Sequence, residues 1–510
     1  MKNSVIILIL LAVFSGESLM AKNAGKDYLI IRQSVTGNVF LKTEPIIFKI
    51  QTTTQLITFT YKDYWNQLLG TDTLAVSGDT ASIHIQTEKL GWFSLTVKSI
   101  RNGTALLEKT TSFAVLTEFD PSKFASSPFM VQTHSWEDYS KTIPVVARLG
   151  VKYVRDCFRW QEIEKTKGIY RFPAKFDTVM EQITGYGIRL YATMGVYNPL
   201  YDQGHFPVTK ESVAAFTNYI KRVIDHYPQV KEVEIWNEPD LPTYSKGLTS
   251  WDERAEAYLN LLKSSFVYLK ITRPDVLITG FVLSGNPKFT TVGFLDKLFL
   301  QGALSYVDQF SFHAYGLLPE NIITVINQYR NYVKSQANGH TVPMILSETG
   351  NSNTSIDVYL QAGYTVRRII TALAHGISKV SIYNLQNQDT LSRDRESNFG
   401  LIRHPDDVLG AYVPKPAYVS YGVLIRELSG GRFLKTEKAP TFSYLFEKDH
   451  ESVRVMYAHK SMQVIFHTTH SLKITDIMGN SRIESPINGS IKLLVNDQMI
   501  YVKGKISYIE

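Results

Sequence analysis

Lys231-Glu232-Val233-Glu234-Ile235-Trp236-Asn237-Glu238-Pro239-Asp240 joins a strand pattern to a sharp stop in ten residues. Val233 and Ile235 alternate with Glu232, Glu234 and Trp236, the period-two pattern of a strand. Pro239 then stops the ladder and biases Glu238 towards extended backbone. A carboxylate therefore stands at the C-terminal end of a strand, preceded by an amide. A surface glutamate in an ordinary turn would explain an isolated Asn-Glu-Pro. A second apolar run, Val342-Pro343-Met344-Ile345-Leu346-Ser347, ends in the same way at Glu348-Thr349-Gly350. Two strands that each deliver a glutamate at the C-terminal end predict a pair of cooperating carboxylates.

Working outward, the segments around these two alternate strand and amphipathic helix, the rhythm of a parallel α/β arrangement. The expected strands lie at 129–134, 153–158, 188–194, 231–236, 276–280, 309–315, 341–347 and 379–384. Val213, Phe216, Ile220, Val223 and Ile224 form one apolar helical stripe, and Tyr258, Leu261, Leu262, Phe266 and Leu269 form another. Ser250 and Glu253 have the spacing of a capping box that opens the second helix. Eight units in about 310 residues predict an α/β (β/α)8 TIM barrel. A doubly wound open sheet is disfavoured, because no glycine-rich phosphate loop follows an early strand.

Short β-like runs flank this region, at 38–41, 46–50, 56–61, 81–85, 92–97 and 112–116 before it and at 453–457 and 462–466 after it. They predict a β-sandwich on each side. The expected organisation is a leader at 1–21, an immunoglobulin-like sandwich at 26–117, the barrel at 118–430 and a second sandwich at 431–510. Lys2 followed by the apolar run 5–14 reads as a secretory leader too short to span a bilayer, which implies export to the periplasm or the extracellular space. No later segment is apolar for long enough to insert stably into a membrane.

The 510 residues are 44% hydrophobic and 20% charged, a globular composition. The net charge of +7 is spread along the chain rather than gathered into a basic stripe, which argues against a nucleic-acid partner. The single cysteine, Cys157, excludes an intrachain disulfide, and its strand context predicts a buried, inert thiol. His134, His205 and His313 lie far apart without ligand spacing, so neither a metal nor a cofactor is expected.

Trp236-Asn237-Glu238-Pro239 and Ser347-Glu348-Thr349-Gly350, 110 positions apart on the fourth and seventh strands, resemble the motifs of the clan A glycoside hydrolases. Arg155, His313-Ala314-Tyr315, Tyr383 and Lys415-Pro416-Ala417-Tyr418 add to the likeness. It covers Phe119 to about Leu428 and is strongest to the families of β-xylosidases, α-iduronidases and bacterial exopolysaccharide hydrolases. Tyr383 departs from it, since many relatives carry a tryptophan there.

The resemblance implies a retaining glycosidase with a carbohydrate substrate, Glu238 as acid/base and Glu348 as nucleophile. An inactive carbohydrate-binding barrel and a transglycosylase are the alternatives. Arg155 and Tyr315 would keep Glu348 ionised, Asn237 would hold a sugar hydroxyl, and His313 would orient the pair or touch substrate. Of the aromatics Trp136, Trp160, Trp236, Tyr197, Tyr244 and Tyr383, Trp236 and Tyr383 are expected to offer faces to sugar rings, with Tyr315. The charged segment 386–407, which holds Arg395 and Glu396, is expected to wall the cleft.

Overall fold

A computed structural model of the chain describes residues 26–134, 139–195, 197–285, 292–316, 318–336, 342–390 and 393–510. The expected leader and Trp136 lie outside the described residues. Eight parallel strands close into a barrel: Phe129–Gln132, Tyr153–Cys157, Arg189–Met194, Glu232–Ile235, Leu277–Leu283, Gln309–Tyr315, Met344–Gly350 and Ile377–Ile382. The eighth pairs with the first through Val380–Phe129, Ser381–Met130 and Ile382–Val131, which closes the ring. Most residues of these strands are buried, as expected of a parallel sheet covered on both faces.

Both amphipathic stripes are helices, Lys210–His226 and Trp251–Thr272, and the Ser250–Glu253 capping box is present. Met130, Tyr153, Tyr191 and Ile345, from four of the barrel strands, form a buried cluster of their own. The Lys379–Glu232 ion pair also lies in the interior, with Lys379 over the rings of Tyr153 and Tyr191.

Before the barrel, a three-stranded sheet (Leu29–Gln33, Ile46–Thr52, Thr80–Ile85) faces a five-stranded one (Val39–Leu41, Leu56–Asp63, Leu68–Ala75, Gly91–Arg101, Thr104–Leu116). Phe40, Phe48, Phe93 and Phe113 form the aromatic centre between them. Behind the barrel, a six-stranded and a three-stranded antiparallel sheet enclose Met456, Val464, Phe466, Leu472 and Val502.

The N-terminal sheets are tied to the barrel. The buried Trp92 indole donates to Pro414 O at 2.8 Å, and the Ser112 hydroxyl donates to the same oxygen at 2.9 Å. Asn480, from the C-terminal sheets, accepts from Leu90 N at 2.9 Å and donates to Leu90 O at 3.0 Å. Removing the indole leaves a cavity and strands part of this junction. Trp92→Ala should therefore cost about 3–5 kcal/mol, read as a lower denaturation midpoint.

Candidate active site

Glu238 stands three residues beyond the fourth strand, on a backbone with positive φ at Trp236 (72°) and at Glu238 itself (45°). Non-glycine residues rarely hold such angles unless their surroundings impose them. The Glu238 amide donates to Val282 O at 2.9 Å, and Asp240 accepts from the amide and hydroxyl of Ser284 at 3.0 and 2.6 Å. The loop is thus stitched to the fifth strand. Glu348 lies inside the seventh strand, and two residues on, a Cβ at Gly350 would sit 2.1 Å from Tyr383 O. Only glycine lets the tips of strands seven and eight approach so closely.

The two carboxylates face each other with His313 between them. One side-chain oxygen of Glu238, one of Glu348 and a ring nitrogen of His313 lie within 4.8 Å of one another. His313 Nδ1 is 2.8 Å from Glu238 Oε1 and 3.5 Å from Glu348 Oε2. Glu348 Oε1 accepts from Arg155 Nη1, and its Oε2 accepts from the Tyr315 hydroxyl at 2.6 Å. Arg155, only 1% exposed, also donates to Glu234 at 2.7 Å, to Gln132 at 2.6 Å and to Asn237 Oδ1 at 3.0 Å. Thr193 and Ser311 hydroxyls donate to Glu234 at 2.9 and 3.0 Å. A fully buried carboxylate therefore fixes the guanidinium that in turn fixes Glu348.

This environment splits the pair. Burial drives the Glu238 carboxyl up, and the charge of Glu348 adds to the rise against the opposing pull of His313. Burial pushes Glu348 the same way, but His313, Arg155 and the Tyr315 hydroxyl outweigh it and hold this carboxyl below its ordinary range. Burial depresses His313, yet the two carboxylates more than reverse it and leave it raised. One group is favoured protonated and its neighbour ionised, the division that an acid and a nucleophile need.

The same three side chains have the spacing of a cation site, which the sequence reading did not anticipate. Their chemistry does not suit one. Glu348 already accepts from a guanidinium and a phenol, and a fixed positive charge beside it repels a second cation.

The site opens into a cleft of about 940 Å³, lined by Gln132, Asn237, Tyr244, Tyr315 and Tyr383 among others. Asn237 gives its oxygen to Arg155, so its amide nitrogen remains for the cleft. Tyr383 lines the wall and accepts from Gln388 at 3.1 Å, edge-on to Tyr315 and Phe399. Arg395 lies over the Tyr315 and Phe399 rings, and Arg395 and Glu396 both line the cleft, so the charged segment does contribute a wall. Burial raises the Glu396 carboxyl.

Two expectations need correction. Trp236 reaches the cleft but is 2% exposed, because Phe206 and Phe216 pack on its ring and its indole donates to Tyr244 O at 2.7 Å. Most of its surface serves the core, and the 39%-exposed Tyr244 is a further aromatic near the carboxylates, beside Tyr315 and Tyr383. Cys157 is half-buried in the cleft wall rather than sealed in the core. Its thiol is pushed up to about 12, chiefly by desolvation, which disfavours the thiolate. Glu234 and Gln132 are functional supports that sequence reasoning missed. The alternation around Glu234 gave a signal, but nothing local said that it faces the barrel interior.

No protein-family model and no curated protein matches the chain. Solved structures do. A family 39 glycoside hydrolase from the gut symbiont Bacteroides cellulosilyticus WH2 superposes with a TM-score of 0.76 at 20% identity, over 93% of this chain and all of that one. The chain shares that enzyme's fold. A glucosidase from Croceicoccus marinus matches with a TM-score of 0.50 at 12% identity, over 71% of this chain and 90% of that one. The first likeness extends beyond the barrel into the flanking sheets, since it spans nearly the whole chain.

Proposed function

We propose that the protein is a retaining glycoside hydrolase that cleaves β-type glycosidic bonds of an oligo- or polysaccharide. The observation that carries this is the electrostatic split between two carboxyls whose oxygens lie within 4.8 Å. Carboxyl groups about 5–5.5 Å apart suit double displacement, whereas inverting pairs stand roughly 6.5–9.5 Å apart to admit a water. Glu348 attacks the anomeric carbon while Glu238 protonates the leaving oxygen. The covalent glycosyl-enzyme is then hydrolysed by a water that Glu238 deprotonates. Arg155 and Tyr315 hold the attacking carboxylate ionised and aimed, and Asn237 offers its amide to a ring hydroxyl. Tyr383 and Tyr244 supply the aromatic walls. The N-terminal apolar run supports export to the periplasm or the extracellular space, where polymeric glycans are met. No described helix is long and apolar enough to cross a membrane.

A panel of aryl glycosides and β-linked polysaccharides tests the reading: turnover of at least one supports it, and inertness towards all of them sinks it. On a cleaved substrate, kcat/KM should be bell-shaped in pH. The acid limb marks protonation of Glu348 and should fall below the ordinary glutamate value of about 4.3. The alkaline limb marks loss of the Glu238 proton and should lie above that value, because this carboxyl is raised. A rate that keeps rising with pH throughout would contradict the assignment of Glu238 as acid.

A further inference from the structure

The fifth strand carries an irregularity next to the Glu238 loop. Phe281 and Val282 both have positive φ, 71° and 43°. The β-branched Val282 is especially ill-suited to that region. Pairing with the sixth strand shifts register between Gly280 and Leu283, so the two residues form a bulge. The bulge turns the Val282 carbonyl onto the Glu238 amide at 2.9 Å. On its other side, the Phe281 amide donates to the Tyr258 hydroxyl at 2.7 Å, and that hydroxyl donates in turn to Ile235 O at 3.3 Å. Tyr258 is fully buried on the helix Trp251–Thr272, and Ile235 ends the strand that leads to Glu238.

Resting on the glycosidase reading, we infer that Tyr258 is a positioning residue for the proton donor, acting through the Phe281–Val282 bulge. One hydroxyl closes a loop of contacts that runs from Ile235 through Tyr258, Phe281 and Val282 to Glu238. The αR or β backbone that Phe281 and Val282 would otherwise prefer withdraws the Val282 carbonyl and frees the Glu238 amide. The strained bulge therefore persists because the hydroxyl satisfies the Phe281 amide inside the buried core. The chain of contacts ends at Glu238, and the position of Glu348 comes from Arg155 and Tyr315, which lie outside it. Loss of the Tyr258 hydroxyl should damage proton donation and spare nucleophilic attack.

The test compares Tyr258→Phe with Tyr421→Phe. Tyr421 is another fully buried tyrosine, and its hydroxyl donates to a strand carbonyl, Met130 O, at 2.8 Å. Tyr258→Phe should lower kcat/KM about 10- to 100-fold on a phenyl glycoside, the scale of a catalytic group misplaced by an ångström. On the dinitrophenyl glycoside, whose leaving group needs no proton, the loss should stay under about twofold. Tyr421→Phe should alter stability without changing the ratio between the two substrates. Equal losses on both substrates, or no loss on either, would overturn the inference.

A second readout does not depend on turnover. Carbon-13 NMR titration of labelled glutamate should show the raised Glu238 carboxyl falling towards its ordinary value in Tyr258→Phe, with Glu348 unmoved. An unchanged Glu238 titration in a folded variant contradicts the positioning role even if the chain proves inert on every glycoside. That inertness in the unmutated protein would sink the glycosidase reading alone.

Discussion

Glu348→Gln should abolish turnover of natural and activated glycosides alike, with kcat down on the order of 10,000-fold or more, as when a covalent nucleophile is removed. The amide cannot form the glycosyl ester, so a better leaving group gives no relief. The substitution also takes away the negative charge that Arg155 and Tyr315 are arranged to hold. Part of the rise in His313 comes from that charge, so the imidazole should titrate lower in the variant. Folding should survive, because Arg155 keeps its bonds to Glu234, Gln132 and Asn237. Full activity on a dinitrophenyl glycoside in a correctly folded Glu348→Gln protein would remove Glu348 from the mechanism.

Glu238→Ala should divide the substrates. Glycosides with poor leaving groups lose about 100- to 10,000-fold in kcat/KM, the usual worth of a general acid. A dinitrophenyl glycoside still glycosylates Glu348, but no base then activates water, and the covalent intermediate accumulates. A burst of dinitrophenolate followed by a slow steady state is the kinetic signature. Azide needs no base, so it should restore turnover and yield a glycosyl azide of retained configuration. If azide instead rescues Glu348→Gln with inversion, and leaves Glu238→Ala unaided, the two roles must be exchanged.

What was legible in the chain follows from where the information sits. The barrel could be read because short strand-like runs recur between helices that keep a strong stripe, as in Val213, Phe216, Ile220, Val223 and Ile224. Glu238 and Glu348 were legible as strand-end carboxylates, although Glu348 proves to lie within its strand. The support beneath them was not. Glu234 lies one turn of the pleat from apolar neighbours, and only closure of the barrel reveals that it faces Arg155. Trp236 was misjudged for the same reason: an aromatic beside the acid can face the cleft or the core, and Phe206 and Phe216, remote in sequence, decide for the core. The bulge at Phe281–Val282 leaves no mark in an apolar run, since its cause is the Tyr258 hydroxyl on another element. Strands with weaker alternation, Leu29–Gln33 and Leu68–Ala75, also escaped, because edge strands bury little.

In the proposed mechanism two glutamates this close act by double displacement. Proton NMR of the first sugar released from a cleaved glycoside, recorded before mutarotation, reads that directly. The account predicts a product with the anomeric configuration of the substrate, formed through the ester on Glu348. A first product of inverted configuration would mean that a water stands between the carboxyls, and the roles given to Glu238 and Glu348 would be wrong.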